Sequence, residues 1–205
     1  MTYRLYRDDL PDDIRFGSEV AIDTEALGLN NFRDRLCLVQ VYFGSGEVYI
    51  VHFDKKSTYN SPNLKRLLLD ESILKIFHYA RFDLAILQKT FGIRIGNVYC
   101  TKIASRIART YSDIHGLKAL IREFFGIEIS KREQGSYWGG DEISEDQLKY
   151  AANDVLFLHR IRDRLNTILE NENRKELAER CFSFLPTRVD LDLLGWINVD
   201  IFCHQ

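Results

Sequence analysis

Apolar positions run nearly unbroken through short stretches of the first third of the chain, then recur at helical spacing. Residues 18–24 (SEVAIDT), 36–43 (LCLVQVYF) and 47–53 (EVYIVHF) are rich in β-branched and aromatic side chains, the composition of strands. Gly44-Ser45-Gly46 joins the last two, so the three predict a meander. Leu64, Leu67 and Leu68 then fall at i, i+3 and i+4, predicting a helix over 62–70. A short strand at 73–78 and a helix over 82–91 follow. Beyond residue 100 helices dominate: 101–111, 115–125 closed by Gly126, and one long helix from Ser144 to Asn171, whose start carries the S-x-x-Q capping box of Ser144 and Gln147. Residues 131–142 (KREQGSYWGGDE) are Gly-rich and polar, as functional loops are. Residues 189–205 are apolar for a terminus.

Three acidic clusters interrupt this pattern. Asp23 and Glu25 close the first strand at period-2 spacing, which puts both carboxylates on one side if the strand continues that far. Two carboxylates aimed together repel unless a cation or proton joins them; the plain alternative is a charged strand end. Asp83 sits where a helix begins after a buried strand, a place where an aspartate also serves as an N-cap. Tyr150 and Asp154 lie at i, i+4 and share a helix face. Aspartate is a poor mid-helix residue, so either it faces water or it borders the stripe of Ala151, Val155 and Leu158 for a reason.

Composition narrows the field. With 205 residues and 45% hydrophobic content the chain can form one domain with a sizeable core, expected over 1–205 with a catalytic core at about 19–165 and a helical or oligomerisation tail at about 172–205. No apolar run approaches the ~20 residues that span a bilayer, and the N-terminus has no signal-peptide core, so no membrane partner and a cytoplasmic location are expected. Cys37, Cys100, Cys181 and Cys203 are scattered without metal-finger spacing, which indicates neither a zinc site nor a disulfide framework. The net charge of −2 argues against a large phosphate-gripping surface, though bound divalent cations can supply local positive charge.

In order and context these clusters resemble the RNase D-like members of the DEDD exonuclease superfamily. The resemblance runs through I-D-T-E (22–25), L-C-L-V-Q-V (36–41), F-H-Y-A-R-F-D (77–83), T-K-I-A-S-R (101–106), G-L-K-A-L (116–120), S-Y-W (136–138) and Q-L-K-Y-A-A-N-D-V (147–155). The tyrosine four residues before the last aspartate places the chain in the tyrosine branch. The resemblance implies an α/β, ribonuclease H-like mixed sheet: a three-strand antiparallel meander plus parallel strands, flanked by helices. It also implies a 3′–5′ exoribonuclease acting on short single-stranded RNA, with RNase D-type trimming of RNA 3′ ends or DNA 3′–5′ exonuclease activity as the alternatives, and a non-catalytic nucleic-acid-binding module as the reading from another class. Asp23, Glu25, Asp83 and Asp154 would hold two Mg²⁺ or Mn²⁺ ions, Asp23 bridging them, and Tyr150 would position the attacking water.

For substrate contacts, the family pattern places an apolar wedge at Leu29, and Thr24, His78, Phe82 and Trp138 are further candidates. Leu29 and Trp138 read equally well as core residues, and His78 as a satisfied core histidine. Lys102, Arg106 and Arg109 are expected on one helix face, to receive a phosphate or simply to be solvated; Lys131 and Gln134 match the family pattern before the tryptophan.

Two departures bear on substrate fit. Tyr79 stands where RNase D commonly has asparagine, and Gly140-Asp141-Glu142-Ile143 replaces the usual Arg-Pro-Leu. The 205 residues do not extend into the helical domains that RNase D appends, so the chain is more similar to stand-alone NrnC-type nano-RNases that clear dinucleotides. Its apolar tail predicts a homo-oligomer, and a closed ring would restrict entry to short substrates.

Overall fold

A computed structural model describes residues 2–129 and 135–204. Lys131 and Gln134 lie outside the described residues. The strands are β1 (Tyr3–Arg7), β2 (Glu19–Ala26), β3 (Leu36–Tyr42), β4 (Val48–His52), β5 (Leu74–Phe77) and β6 (Val98–Cys100). The helices are α1 (Pro62–Leu69), α2 (Ala80–Phe91), α3 (Thr101–Ala108), α4 (Leu117–Phe125), α5 (Glu145–Leu156), α6 (Leu158–Asn171) and α7 (Lys175–Leu193).

The strands form a six-stranded sheet in the order β1-β4-β3-β2-β5-β6. The expected meander is present: β2 and β3, then β3 and β4, pair antiparallel. β5 joins β2 in parallel and β6 joins β5 in parallel. This is the mixed, helix-flanked sheet of the ribonuclease H-like fold. β1 and β6 went unforeseen, because TYRLYR carries three exposed positions among five and V-Y-C is too short to show a period.

Helix boundaries moved for identifiable reasons. The single helix expected from 144 to 171 is two, broken at Phe157 (φ −101°, ψ −6°), whose ring stacks on Phe125 at 5.9 Å. The capping box at its start is present, Ser144 accepting from the Gln147 amide and Gln147 from that of Ser144. α2 begins at Ala80, two residues earlier than expected, so Asp83 lies inside its first turn and is not the N-cap. That place is taken by Tyr79 in the left-handed region (φ 71°), a conformation that costs a bulky side chain energy and is kept only where its surroundings hold it.

The core is continuous. Val20, Ala21 and Ile22 of β2, Leu38 and Val39 of β3, Ile76 and Phe77 of β5, and Ala151, Ala152 and Val155 of α5 are all fully buried. Phe182, Leu185 and Val189 of α7 are buried as well, and this helix packs on α2, α3, α6 and β6. After it Leu194, Trp196, Ile197, Ile201 and Phe202 stay exposed.

Candidate active site

Because β2 pairs antiparallel on one side and parallel on the other, its C-terminal end opens a crevice of the kind where α/β sheets place their ligands. Asp23, Thr24 and Glu25 occupy that end. Asp83 arrives from α2, which follows the neighbouring parallel strand, and Asp154 from α5, which packs across β2, β3 and β4.

The structure brings together what the sequence holds 131 positions apart. Asp23, Glu25 and Asp154 offer ligand oxygens that all lie within 4.8 Å of one another. Asp83 stands beside them, accepting a hydrogen bond at 2.6 Å from Thr24 Oγ1. Tyr150 lies one helical turn from Asp154, near enough that each shifts the other's pKa. Asp154 thus faces neither water nor pure core; it borders the crevice.

Electrostatically the four acids are under strain. Burial first, then Asp83, Asp154 and Glu25, push the Asp23 carboxyl well above its ordinary range. Burial and the charges of Asp154 and Asp83 raise Glu25 to about 9. Asp83 rises to about 7 by burial, opposed by the Thr24 hydrogen bond, and Asp154 to about 6 by burial, opposed by Lys118 and Tyr150. Four carboxylates that cannot ionise together without a counter-charge, offering oxygen alone, fit hard divalent cations. Gln40 adds to that fit. It lies directly opposite Asp23 in the β2–β3 register, fully buried, and neither atom of its carboxamide has a partner among the described residues. A carboxamide left open beside Asp23 suits a hydrated ion.

Lys118 escaped the sequence reading, although it sits in the G-L-K-A-L stretch. Its ammonium lies 4.6 Å from the centre of the Tyr150 ring and lowers the pKa of both Glu25 and Asp154. The signal available was a cation in the first turn of a helix whose first five residues are otherwise apolar.

The remaining candidates separate. Leu29 is 88% exposed, which removes the core alternative and leaves an apolar tip standing in solvent. Its loop is closed by Asp34, which accepts from the Asn30 amide at 3.0 Å and sits so near Gly28 that a Cβ there would lie 2.4 Å from Oδ2. Phe82 is half-buried nearby on α2. Trp138 is buried, with its ring against Tyr150 at 6.1 Å, so it backs the tyrosine. His78 bonds Thr101 Oγ1 through Nδ1 at 2.9 Å, and burial, with Lys102 adding, drops it to about 3; it is a neutral imidazole. The basic face expected of Lys102, Arg106 and Arg109 keeps its first two members on α3 and loses the third. α3 ends at Ala108, and Arg109 turns inward, buried and bonded to Ser105, Ile114 O and Glu123.

The sequence profile of a family described as 3′–5′ exonuclease matches residues 8–170. The chain belongs to the 3′–5′ exonuclease family. Among its relatives, ribonuclease D of Gluconacetobacter diazotrophicus is 35% identical over 155 residues, 76% of this chain and 39% of that protein. The chain therefore spans well under half the length of that curated relative. The structure of Brucella melitensis NrnC bound to pGG is 50% identical and superimposes with a TM-score of 0.95 over 100% of both chains. Brucella melitensis NrnC with bound Mg²⁺ is 49% identical, with a TM-score of 0.94 over the same full coverage. Escherichia coli RNase D, 23% identical with a TM-score of 0.73 over 84% of this chain and 45% of that one, shares the fold. This exonuclease is thus of the RNase D and NrnC type, in a family of divalent-metal-dependent enzymes that act on nucleic acid.

Proposed function

We propose that this exonuclease hydrolyses short single-stranded RNA from its 3′ end, down to and including dinucleotides, releasing nucleoside 5′-monophosphates. The observation that carries the reading is the convergence of Asp23, Glu25 and Asp154 within 4.8 Å, with Asp83 beside them and Tyr150 one helical turn from Asp154. Full-length likeness to an NrnC structure bound to pGG supports the short substrate.

Asp23, Glu25 and Asp154 would hold one divalent cation and Asp83 with Asp23 a second, Mg²⁺ or Mn²⁺. When bound, the pair supplies Lewis-acid stabilisation of the charge that builds at the scissile phosphate. Thr24, by fixing one Asp83 oxygen at 2.6 Å, leaves the other to face the site. Burial and the neighbouring acids push the Tyr150 phenol above its ordinary value, so it stays protonated at working pH. A protonated phenol orients the attacking water and does not take its proton. In the balanced reaction the water oxygen bonds phosphorus, the P–O3′ bond breaks, and the proton the water gives up is matched by the one the departing 3′ oxygen takes to leave as a hydroxyl. Leu29 would wedge between bases and Phe82 stack on one, with Trp138 holding Tyr150 in place. His78, neutral, would keep α2 registered on α3 through Thr101.

The homo-oligomer is part of this reading, supported by the exposed Leu194, Trp196, Ile201 and Phe202. Among the described residues no helix is long and apolar enough to cross a membrane, and the four cysteines are free, as suits a reducing cytoplasm; recovery of the chain in an exported fraction would refute that location.

The test is a time course with Mg²⁺ on 5′-labelled RNA of two and of twenty nucleotides and on matched DNA. Faster loss of the dinucleotide is expected. Stepwise shortening of long RNA or DNA at equal rates would make it a general exonuclease, which is the alternative reading. Light scattering on the same preparation checks the oligomer, and a monomer mass refutes it.

A further inference from the structure

The turn that carries Trp138 has no regular structure of its own: residues 135–143 are neither helix nor strand. Such a segment keeps one conformation only where groups outside it bond its backbone. Two sets of donors do so, from opposite sides. On the helix side, Gln147 of α5 donates to Ser136 Oγ at 3.2 Å and to the Tyr137 carbonyl at 3.1 Å. On the sheet side, Arg35 Nη2 donates to the Gly139 carbonyl at 3.2 Å and His52 Nε2 to the Gly140 carbonyl at 3.2 Å. A carbonyl only accepts, so His52 carries a proton on Nε2.

The two sets differ in what they are attached to. Gln147 belongs to the same helix as Tyr150, so its bonds tie the turn to the tyrosine's own element. Arg35 directly precedes β3 and His52 ends β4, which pairs with β3 at that end through Leu38. Leu38 in turn lies opposite Glu25 of β2. The sheet-side bonds therefore tie the turn to the frame that carries Asp23 and Glu25.

Both sheet-side donors are themselves held. Arg35 Nη1 donates to the Phe53 carbonyl at 2.7 Å, and the Arg35 carbonyl accepts from the Leu27 amide at 3.1 Å. His52 is buried, and burial, opposed by the bond to Gly140, holds its pKa below the ordinary histidine value. Gly139 leaves room for the close fit: a Cβ there would lie 2.4 Å from Leu27 Cδ2. The Lys55–Asp141 pair at 2.9 Å also reaches this turn, but both partners are exposed and such pairs contribute little.

We propose that Arg35 and His52 are positioning residues for Tyr150, which set where the phenol stands against the carboxylates by anchoring the Trp138 turn to the sheet. The inference rests on the reading of Tyr150 given above. The link is short: the anchored turn buries Trp138, and the Trp138 ring lies 6.1 Å from that of Tyr150. A misplacement of about 1 Å in an orienting group costs up to about a hundredfold in rate. Neither Arg35 nor His52 is an oxygen ligand, so cation binding survives their loss.

The experiment is a double-mutant cycle. Arg35→Met and His52→Leu are made in the parent and in Tyr150→Phe, and each protein is assayed on dinucleotide RNA with Mg²⁺. In the parent each variant is expected to lower kcat about tenfold, with KM and the Mg²⁺-induced rise in Tm unchanged. In Tyr150→Phe the same changes are expected to cost less than twofold, because a residue that acts through the phenol has nothing left to position. Arg35→Lys keeps a single donor and should recover part of the rate, and it carries the cycle if Arg35→Met folds poorly. The chain has two tryptophans, so emission is read in a Trp196→Phe background, where loss of the anchor should shift Trp138 to the red. An equal loss with and without the Tyr150 hydroxyl, or an unchanged kcat in the parent, overturns the proposal. So does a lowered kcat with Trp138 emission unmoved. A parent that cleaves no RNA overturns the exoribonuclease reading, and the inference with it.

Discussion

Replacing Asp154 by asparagine is expected to lower kcat by on the order of a thousandfold or more while leaving the metal-free protein more stable. The first effect follows from losing one oxygen ligand in a site whose catalytic power is charge stabilisation, where single donors are worth about 10²–10³ in rate. The second follows from the repulsion the acids suffer: Asp154 raises the pKa of Asp23, Glu25 and Asp83 alike. Removing its charge relieves that repulsion, and the similar shape of asparagine avoids a cavity. Activity and thermal stability should therefore move in opposite directions in one variant. Tyr150→Phe makes the contrast, because it keeps the ring packed on Trp138 and removes only the hydroxyl. It should cost about 10–100-fold in kcat, below the full range of acid–base catalysis, with KM little changed. A Tyr150→Phe protein as inactive as Asp154→Asn would mean the phenol does more than orient. Equal activity to the parent would remove its role.

Magnesium should stabilise the fold more at high pH than at low. Glu25, Asp83 and Asp154 have folded-state values of about 9, 7 and 6, each above the ordinary carboxylate range by burial. A carboxyl raised on folding binds its proton more tightly in the native state, so its contribution is complete below about pH 4 and is lost as pH rises through about 6 to 9. Without metal, stability should decline across that window. Divalent cations compete with those protons, so they bind better as pH rises and restore what ionisation removed. At a hundredfold excess over Kd, binding contributes about 2.7 kcal/mol. For a chain of this size that is about 5–11 °C in Tm. Thermal melts with and without Mg²⁺ from about pH 6 to pH 9 would show it. A shift that shrank with pH, or one that persisted in Asp154→Asn, would contradict the carboxylate site.

What was legible in the sequence is what short-range physics controls. The β2–β3–β4 meander, α1, the Ser144 capping box and the Gly126 helix stop follow from side-chain period and local hydrogen bonding. The four acids and Tyr150 stood out because they break the surrounding pattern, a charge pair ending a strand and an aspartate within a helix. Strands β1 and β6 were not legible, since a strand gains its stability from partners the local pattern does not name. The break at Phe157 has the same origin: it accompanies a stack on Phe125, 32 positions earlier.

The sequence by itself determined the central meander, most of the helices and which residues were chemically out of place. Only the tertiary structure decided which of them meet. Arg109 looked like surface charge and is buried, because the end of α3 turns it inward. Lys118 looked like an ordinary helix residue and lies over Tyr150. Leu29 could have been a core residue until its exposure removed that reading. The C-terminal segment gave no local sign that both oxygens of Asp192 would accept from Arg81, 111 positions earlier. Burial and like-charge proximity set the character of a site, and both are properties of distance in space, which residue spacing along the chain does not contain.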